Sequence, residues 1–270
     1  MILVGLGQAG KNIVKLFKPH TNLYKIVILD ADEGLIKKDK VEDYDEQEVK
    51  LKQRGLSKHD DAMLFLCGSG KVAGASLRVL EALKTFKTTV CYIVPDLEFS
   101  SREEKIRHRV HFGILQEYAR SGMINEMIIL DNNLLLETAG VGSVINYYQK
   151  VNYFIYSTFQ NLLYCTHTKA DFGQVHKTKD VSRISTISLG SWSADDEKML
   201  FKLDNVTETC YYINIEEDDL NGDEGVIPRC QQILRNNNSL SRETTFAIWK
   251  SSEDNHLYAK HYTHFIQADK

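Results

Sequence analysis

Hydrophobic residues in the first half of the chain fall into short continuous runs, most of them followed by a segment with helical periodicity. The runs lie at positions 2–4, 25–29, 63–67, 90–94 and 127–130. Segments at 11–17, 75–84 and 102–120 are interpreted as helices, and the strongly charged segment 37–61 as a surface helix or loop. Near-continuous apolar strands that alternate with helices predict a parallel sheet covered on both faces.

The pattern changes after a long segment at about 141–166, which is rich in Tyr and Phe and predicts a largely buried helix. Beyond it, one convincing helix, at about 223–235, lies among strand-like runs at 184–192, 211–215, 244–250 and 257–266. Consecutive strands favour a smaller α+β domain with a mixed sheet. We therefore predict an α/β domain over 1–140, a connecting helix over 141–167 and an α+β domain over 168–270.

The first predicted strand runs directly into a glycine-rich turn, GLGQAG at positions 5–10, and then into a helix. Glycines let the backbone bend sharply and approach a phosphate without an intervening Cβ atom. The free N–H groups and the positive dipole end of the helix would face that anion. The sequence therefore predicts a phosphate site here. A close-packed turn without a ligand is one alternative, and a dinucleotide site with Asp30 on the ribose is another.

Polar or glycine-rich segments follow the other four predicted strands as well, at 30–32, 68–74, 95–101 and 131–133. Ligands of parallel sheets bind outside these carboxyl ends of the strands. The segment GSGK at 68–71 is not a Walker A loop, because Phe65 stands where that motif requires its first glycine and Val72 where it requires Ser or Thr.

Length and composition fit a globular protein with a sizeable core. The 270 residues are 43% hydrophobic and 26% charged, and the net charge of −4 gives no reason to expect nucleic acid. The apolar runs are too short to cross a membrane, and we expect no signal peptide before the first strand. Five cysteines without a C-x-x-C pair indicate reduced thiols, so we expect a cytoplasmic protein.

The order of these motifs resembles the tubulin/FtsZ family over nearly the whole chain. Residues 5–12 look like the family's first phosphate loop, and 30–32 look like its acidic loop near the magnesium. The LDN segment at 130–132 is similar to the family's base-reading Val-Asp-Asn, and 169–174 is similar to its synergy loop. The resemblance implies a Rossmann-like GTPase domain, a central helix and a smaller α+β domain.

The predicted central helix carries a further match. Tyr148 and Asn152 correspond to the tubulin Tyr-x-x-x-Asn, in which the ring stacks on guanine and the amide reads its edge. Their i, i+4 spacing puts both on one helical face. The distance from Asn152 to Asp171 is shorter than in the family, so Asn146 is the alternative base-reading residue.

The resemblance implies GTP or GDP as ligand and Mg²⁺ as cation, with Asp32 on the magnesium side through water. The implied nucleotide-binding residues are Gly5, Gly7, Gln8, Ala9, Gly10, Asp30, Asp32, Gly68, Ser69, Gly70, Lys71, Gly74, Asn132, Tyr148 and Asn152. Asp171 and Gln174 are the implied catalytic residues, which would align the attacking water in the pocket of the next subunit. Such a heterologous contact propagates as a head-to-tail filament.

Several positions depart from the family pattern. Lys71, Val72 and Ala73 replace two glycines and the threonine of the third loop, and Val72 cannot adopt the backbone that glycine allows. The segment 33–62 is shorter than in the family, which affects sensing of the γ-phosphate. Gln174 replaces a carboxylate, and a glutamine can orient a water but cannot accept its proton.

Two functions therefore stay open. The first is a GTP-binding protein that polymerises like a cytoskeletal filament. The second is a structural pseudo-GTPase that has lost hydrolysis and serves as a scaffold or as part of a larger particle, with other proteins of that assembly as partners. The short, divergent sequence resembles plasmid and phage members, for which the host cytoplasm or the virion is the expected location. No membrane and no direct nucleic-acid partner are expected.

Three further features receive simpler interpretations. His256, His261 and His264 are expected on the surface of the sheet rather than at a metal, since strand residues 261 and 264 point to opposite faces. The acidic run at 216–219 is interpreted as a solvated turn, and the basic residues at 102–109 as a charged helix face.

Overall fold

A computed structural model describes most of the chain, namely residues 1–20, 22–38, 43–44, 61–140, 146–176, 179–191, 196–222, 225–237, 243–251 and 255–268. Positions 141–145, where the central helix is predicted to begin, and most of the short segment 33–62 lie outside the described residues. The chain divides into two compact units, residues 1–156 with the C-terminal end, and residues 157–267.

The first unit contains a parallel sheet of five strands. They are β1 Ile2–Leu6, β2 Lys25–Leu29, β3 Asp61–Cys67, β4 Lys87–Val94 and β5 Glu126–Asp131. Their order in the sheet is β2-β1-β3-β4-β5, and each neighbouring pair is parallel. Every residue of β1 is buried, which explains why the strand is a continuous apolar run rather than an alternating one. The predicted parallel sheet is confirmed.

Helices connect these strands. They are α1 Gly7–Leu16, α2 Ser76–Ala82, α3 Arg102–Arg120, α4 Asn132–Thr138 and α5 Tyr147–His167, which continues into the second unit. α3 begins with a capping box, in which the Ser101 hydroxyl accepts from the Glu104 N–H and the Glu104 carboxylate accepts from the Ser101 N–H. Such caps stabilise a helix start by about 1 kcal/mol. None of the described helices is long and apolar enough to cross a membrane.

The second unit contains the mixed sheet that the sequence predicts. Its strands are β6 Phe172–Gln174, β7 Ile184–Ser191, β8 Lys198–Met199, β9 Glu208–Glu216, β10 Glu243–Ser251 and β11 His256–Thr263. They follow the order β7-β11-β9-β10-β6, and β8 pairs with β7. The β9–β10 pair is parallel, whereas β6, β8 and β11 pair antiparallel with their neighbours.

Two helices, α6 Glu217–Gly222 and α7 Val226–Asn237, lie between β9 and β10. Apolar residues of α7, including Cys230 and Ile233, pack on a buried cluster with Ile213 and Ile248 of the sheet. The acidic residues at 217–219 form the first turn of α6 rather than the predicted turn, and acids at this end complement the helix dipole.

The expectation that His261 lies on the surface is wrong. Its side chain is 0% exposed, and both ring nitrogens have partners in the second unit. Nε2 lies 2.8 Å from the Ser188 hydroxyl and 3.0 Å from a Glu197 carboxylate oxygen, and Nδ1 lies 3.1 Å from the Thr209 hydroxyl. Buried polar groups are tolerated when they are hydrogen-bonded, so partners on neighbouring strands keep this histidine inside.

Glu197 is the ionisable centre of this cluster. Burial by itself would raise the pKa of its carboxyl group, but hydrogen bonds from His261, Ser188 and Tyr211 outweigh burial and hold the pKa below its ordinary value. The ionised carboxylate therefore stabilises the folded state at pH values above the ordinary pKa of a glutamate, about 4.3. That contribution is lost as the pH falls through the lower pKa of the folded state.

We expect Glu197→Gln to lower the free energy of unfolding by about 1–3 kcal/mol at neutral pH, because several buried donors lose a charged acceptor. The same variant should lose less stability than the wild type between neutral pH and about pH 3. Urea unfolding across this pH range measures both effects. Glu243→Gln, which removes a surface carboxylate paired with Lys179, is the matched control and should change little. An identical acid dependence of wild type and Glu197→Gln would contradict the assignment.

Candidate functional site

The turn between β1 and α1 has no room for side chains. A Cβ atom on Gly5 would lie 2.4 Å from the Gly10 carbonyl oxygen, and one on Gly10 would lie 2.2 Å from the Phe65 carbonyl oxygen. Gly7 adopts a φ of 70°, a left-handed conformation that favours glycine. Packing of α1 against β1 and β3 thus requires Gly5 and Gly10, whereas the backbone conformation favours Gly7.

This turn leaves the start of α1 able to bind an anion. Its N-cap residue is Leu6, whose side chain cannot accept a hydrogen bond, and the first turn of the helix contains no acid. Gln8 is exposed and Ala9 is half-buried, so the backbone here is accessible. Uncapped N–H groups and the positive end of the helix dipole attract negatively charged ligands.

A cavity of about 320 Å³ lies beside this turn, within the first unit. Residues that follow four of the five strands line it, together with the first turns of α5. Its lining residues are Ala9, Cys67, Ser69, Ile93, Pro95, Asp96, Phe99, Ser100, Glu104, Asn132, Tyr147, Tyr148, Val151, Asn152 and Ile155. The structure thus brings together Ala9, Ser69, Asn132, Tyr148 and Asn152 of the predicted nucleotide-binding residues.

One end of this cavity is aromatic and amide-rich. Tyr148 is 71% exposed, and its ring meets that of Tyr147 edge to face at 4.8 Å. The Asn132 side-chain amide donates to the Tyr147 hydroxyl at 3.3 Å. The alternative residue Asn146 is not among the lining residues. Tyr147 is a lining residue that the sequence does not single out, because its only signal there is a place in an aromatic stripe.

The segment after β4 supplies lining residues that the sequence did not single out. Phe99 is 89% exposed at the cavity, and Asp96 and Glu104 contribute carboxylates. Hydrogen bonds from the backbone and hydroxyl of Ser101 lower the pKa of Glu104 and keep it ionised. These carboxylates would repel an anionic group placed close to them.

The second glycine loop, residues 68–74, contributes to two cavities. Ser69 lines the first, whereas Lys71 and Gly74 line another of about 400 Å³ together with Lys37, Lys38 and Arg107. Gly68 is fixed by packing, since a Cβ atom there would lie 1.9 Å from the Tyr92 hydroxyl. Lys71 therefore faces a basic cavity that the sequence did not predict.

Val72 closes the space between the two glycine loops. Its side chain is 1% exposed, and its Cγ2 atom lies 3.4 Å from where a Cβ atom of Gly7 would stand. An apolar side chain thus packs against the turn at a position where the family has open backbone. Val72 itself is not among the residues that line the cavity of about 320 Å³.

The acidic loop after β2 is neutralised from within the chain. The Lys11 ammonium lies 3.1 Å from an Asp30 carboxylate oxygen and 3.0 Å from one of Asp32. Hydrogen bonds to Asp32 and Asp30 raise the pKa of Lys11 and keep it charged. No group of three or more His, Cys, Asp or Glu side chains in the described residues is arranged to hold a metal. The acidic loop in this arrangement does not fit the predicted magnesium site at Asp32.

Asp171 and Gln174, the predicted catalytic residues, lie in the second unit. One Asp171 carboxylate oxygen accepts from the Lys250 N–H at 2.8 Å, and the Asp171 N–H donates to the Ile248 carbonyl at 2.9 Å. Gln174 ends strand β6, opposite Phe246 of β10, instead of lying in a free loop. Both residues are exposed.

Solved structures of the same backbone arrangement exist, although no protein-family model and no curated protein matches the sequence. An FtsZ dimer of M. jannaschii gives a TM-score of 0.70 at 13% identity, over 97% of this chain and 87% of that chain. A GTPγS-form protofilament of TubZ from Bacillus thuringiensis serovar israelensis gives 0.68 at 14%, over 98% and 86%. A GTPγS-bound protofilament of CetZ2 from Haloferax volcanii gives 0.67 at 14%, over 97% and 92%. The chain therefore has the fold of the tubulin/FtsZ family, in a highly divergent sequence.

Proposed function

We propose that this protein binds a guanine nucleotide in the cavity beside α1 and assembles head to tail with copies of itself. The observation that carries the proposal is the convergence of four strand ends and α5 on one cavity next to an uncapped helix start. Ligands of parallel sheets occupy this position. The TubZ and CetZ2 structures with the same fold are nucleotide-bound protofilaments, which supports both parts of the proposal.

In this proposal the base lies on Tyr148 and the phosphates lie toward α1. Tyr148 and Asn152 are one helical turn apart on α5 and line the same cavity, so one ring can stack while one amide reads the base edge. Asn132 lines this cavity as well. Ala9 and Ser69, from the two glycine loops, line this cavity too and would lie on the phosphate side.

Assembly would place residues 169–174 of one subunit over the nucleotide cavity of the next. Asp171 and the neighbouring Phe172 are exposed, so this edge of the second unit is able to contact another molecule. Asp171 retains acceptor capacity for a water, and Gln174 would help to orient it. We place this assembly in the cytoplasm of a cell or host, which fits five cysteines that form no disulfide with one another.

A second function, a structural scaffold without hydrolysis, is favoured by the phosphate end of the site. Val72 packs against Gly7, and one Asp171 oxygen is engaged by the Lys250 backbone. Gln174 cannot act as a general base, because an amide does not accept a proton at neutral pH. A scaffold of this kind would bind copies of itself or other proteins of a larger particle.

We expect Tyr148→Ala to weaken binding of a fluorescent GTP analogue roughly tenfold, because loss of a stacked ring costs about 0.5–1.5 kcal/mol plus buried area. Tyr153→Ala is the matched control, since Tyr153 is an exposed tyrosine of α5 that does not line the cavity. Fluorescence titration measures both affinities. Equal affinities for the two variants would place the nucleotide elsewhere, and no binding at millimolar GTP would refute the nucleotide proposal.

Phosphate release measured against protein concentration separates the two functions. A head-to-tail GTPase should show release per molecule that rises steeply above a threshold concentration, because each site is completed by a neighbour. Asp171→Asn should then lower the release at least tenfold, whereas sedimentation of assemblies continues. Asp180→Asn, at another exposed acid of the second unit, is the control. GTP binding with assembly but without release would establish the scaffold instead.

A further inference from the structure

Lys11 sits where the acidic loop meets the glycine turn. Leu6 of β1 pairs with Leu29 of β2 in the parallel register, so Gly7 and Asp30 leave the sheet side by side. Lys11 is one helical turn after Gly7, and side chains of a helix lean toward its N-terminus. The ammonium therefore lies at the same edge of the sheet as the turn that would receive the phosphates.

The contact of Lys11 is different in kind from an ordinary surface ion pair. Its side chain is 9% exposed and its ammonium bonds two carboxylates, at 3.1 Å to Asp30 and 3.0 Å to Asp32. One turn later on α1, Lys15 is 38% exposed and approaches Glu33 to 3.9 Å. The first arrangement holds a cation in a fixed place, whereas the second is an exposed pair of the kind that contributes little.

A divalent metal and this ammonium compete for the same oxygens. Mg²⁺ binds oxygen ligands directly or through its waters and demands near-octahedral geometry. Entry of the metal would bring a +2 ion next to the ammonium, or would force Lys11 away from both of its partners. A buried charge without a partner is strongly unfavourable, so the resident lysine opposes the metal.

We infer that Lys11 is a built-in cation that takes the place of the divalent metal at the acidic loop, so that the protein binds guanine nucleotide without Mg²⁺. This inference rests on the proposed function and specifies its ligand as the metal-free nucleotide. The ammonium neutralises one of the two carboxylates, and Asp32 is largely exposed, so water screens the charge that remains.

The test uses the full chain and a fluorescent GTP analogue, titrated in EDTA and in millimolar Mg²⁺. Wild-type affinities in the two buffers should agree within about twofold. Mn²⁺ alone, followed by electron paramagnetic resonance, serves as the metal probe, and the wild type should leave it free. Lys11→Asn removes the ammonium, so this variant should bind Mn²⁺ and should bind the GTP analogue at least about tenfold more tightly in Mg²⁺ than in EDTA.

Lys15→Asn is the matched control, because it removes a lysine of the same helix and should leave metal independence as in the wild type. Circular dichroism checks folding. If Lys11→Asn does not fold, Lys11→Gln replaces it, and the affinity of the wild type for the GTP analogue in EDTA and in Mg²⁺ still tests the inference.

A wild-type affinity that falls tenfold in EDTA, or Mn²⁺ bound by the wild type, overturns the inference and leaves the proposed function intact. If GTP binds in neither buffer, the proposed function fails. In that case the Mn²⁺ comparison alone decides whether Lys11 takes the place of the metal. Mn²⁺ binding by Lys11→Asn but not by the wild type supports the replacement, and equal Mn²⁺ binding by the two proteins overturns it.

Discussion

The close approach of backbone to backbone at the first turn is the constraint on which the site depends. Gly5 lies against Gly10, and Gly10 lies against the carbonyl of Phe65, so a single methyl group would separate α1 from the sheet. This contact fixes where α1 begins relative to the ends of β1 and β3. The uncapped N–H groups, the cavity next to Ala9 and the position of Lys11 all follow from it.

Three positions that depart from the pattern expected for this fold lie at the glycine loops and the acidic loop. Val72 packs on the glycine turn, Lys11 occupies the acidic loop, and Lys71 faces a separate basic cavity. Asn132, Tyr148 and Asn152, by contrast, line one cavity together with Ala9 and Ser69. The departures therefore change the surroundings of the glycine turn and the acidic loop, whereas these five residues stay together.

In the second unit, as at Lys11, polar and charged side chains are paired with partners from the same chain. Glu197 is kept ionised by three donors from side chains, and the fully buried His261 finds partners for both ring nitrogens. Asp171 binds the Lys250 backbone at the edge of the mixed sheet, where β9 and β10 end together. His261, which the sequence suggests is a surface residue, thus ties strands together from inside, since a buried polar atom must be hydrogen-bonded to be tolerated.

The sequence by itself determined the order of strands and helices and the glycine turn, and it singled out Asn132, Tyr148 and Asn152 as residues that should lie together. Those features depend on local periodicity and on residue types at characteristic spacings, as the shared cavity of Tyr148 and Asn152 illustrates. Tertiary structure alone decided that Lys11 pairs with Asp30 and Asp32, that Lys71 and Val72 turn to different surroundings, and that His261 is buried. Each of these results depends on strand register and loop backbone, which bring residues together that are distant in the chain. A hydrophobic pattern predicts which residues are buried, but it does not predict which residue a charged side chain will pair with.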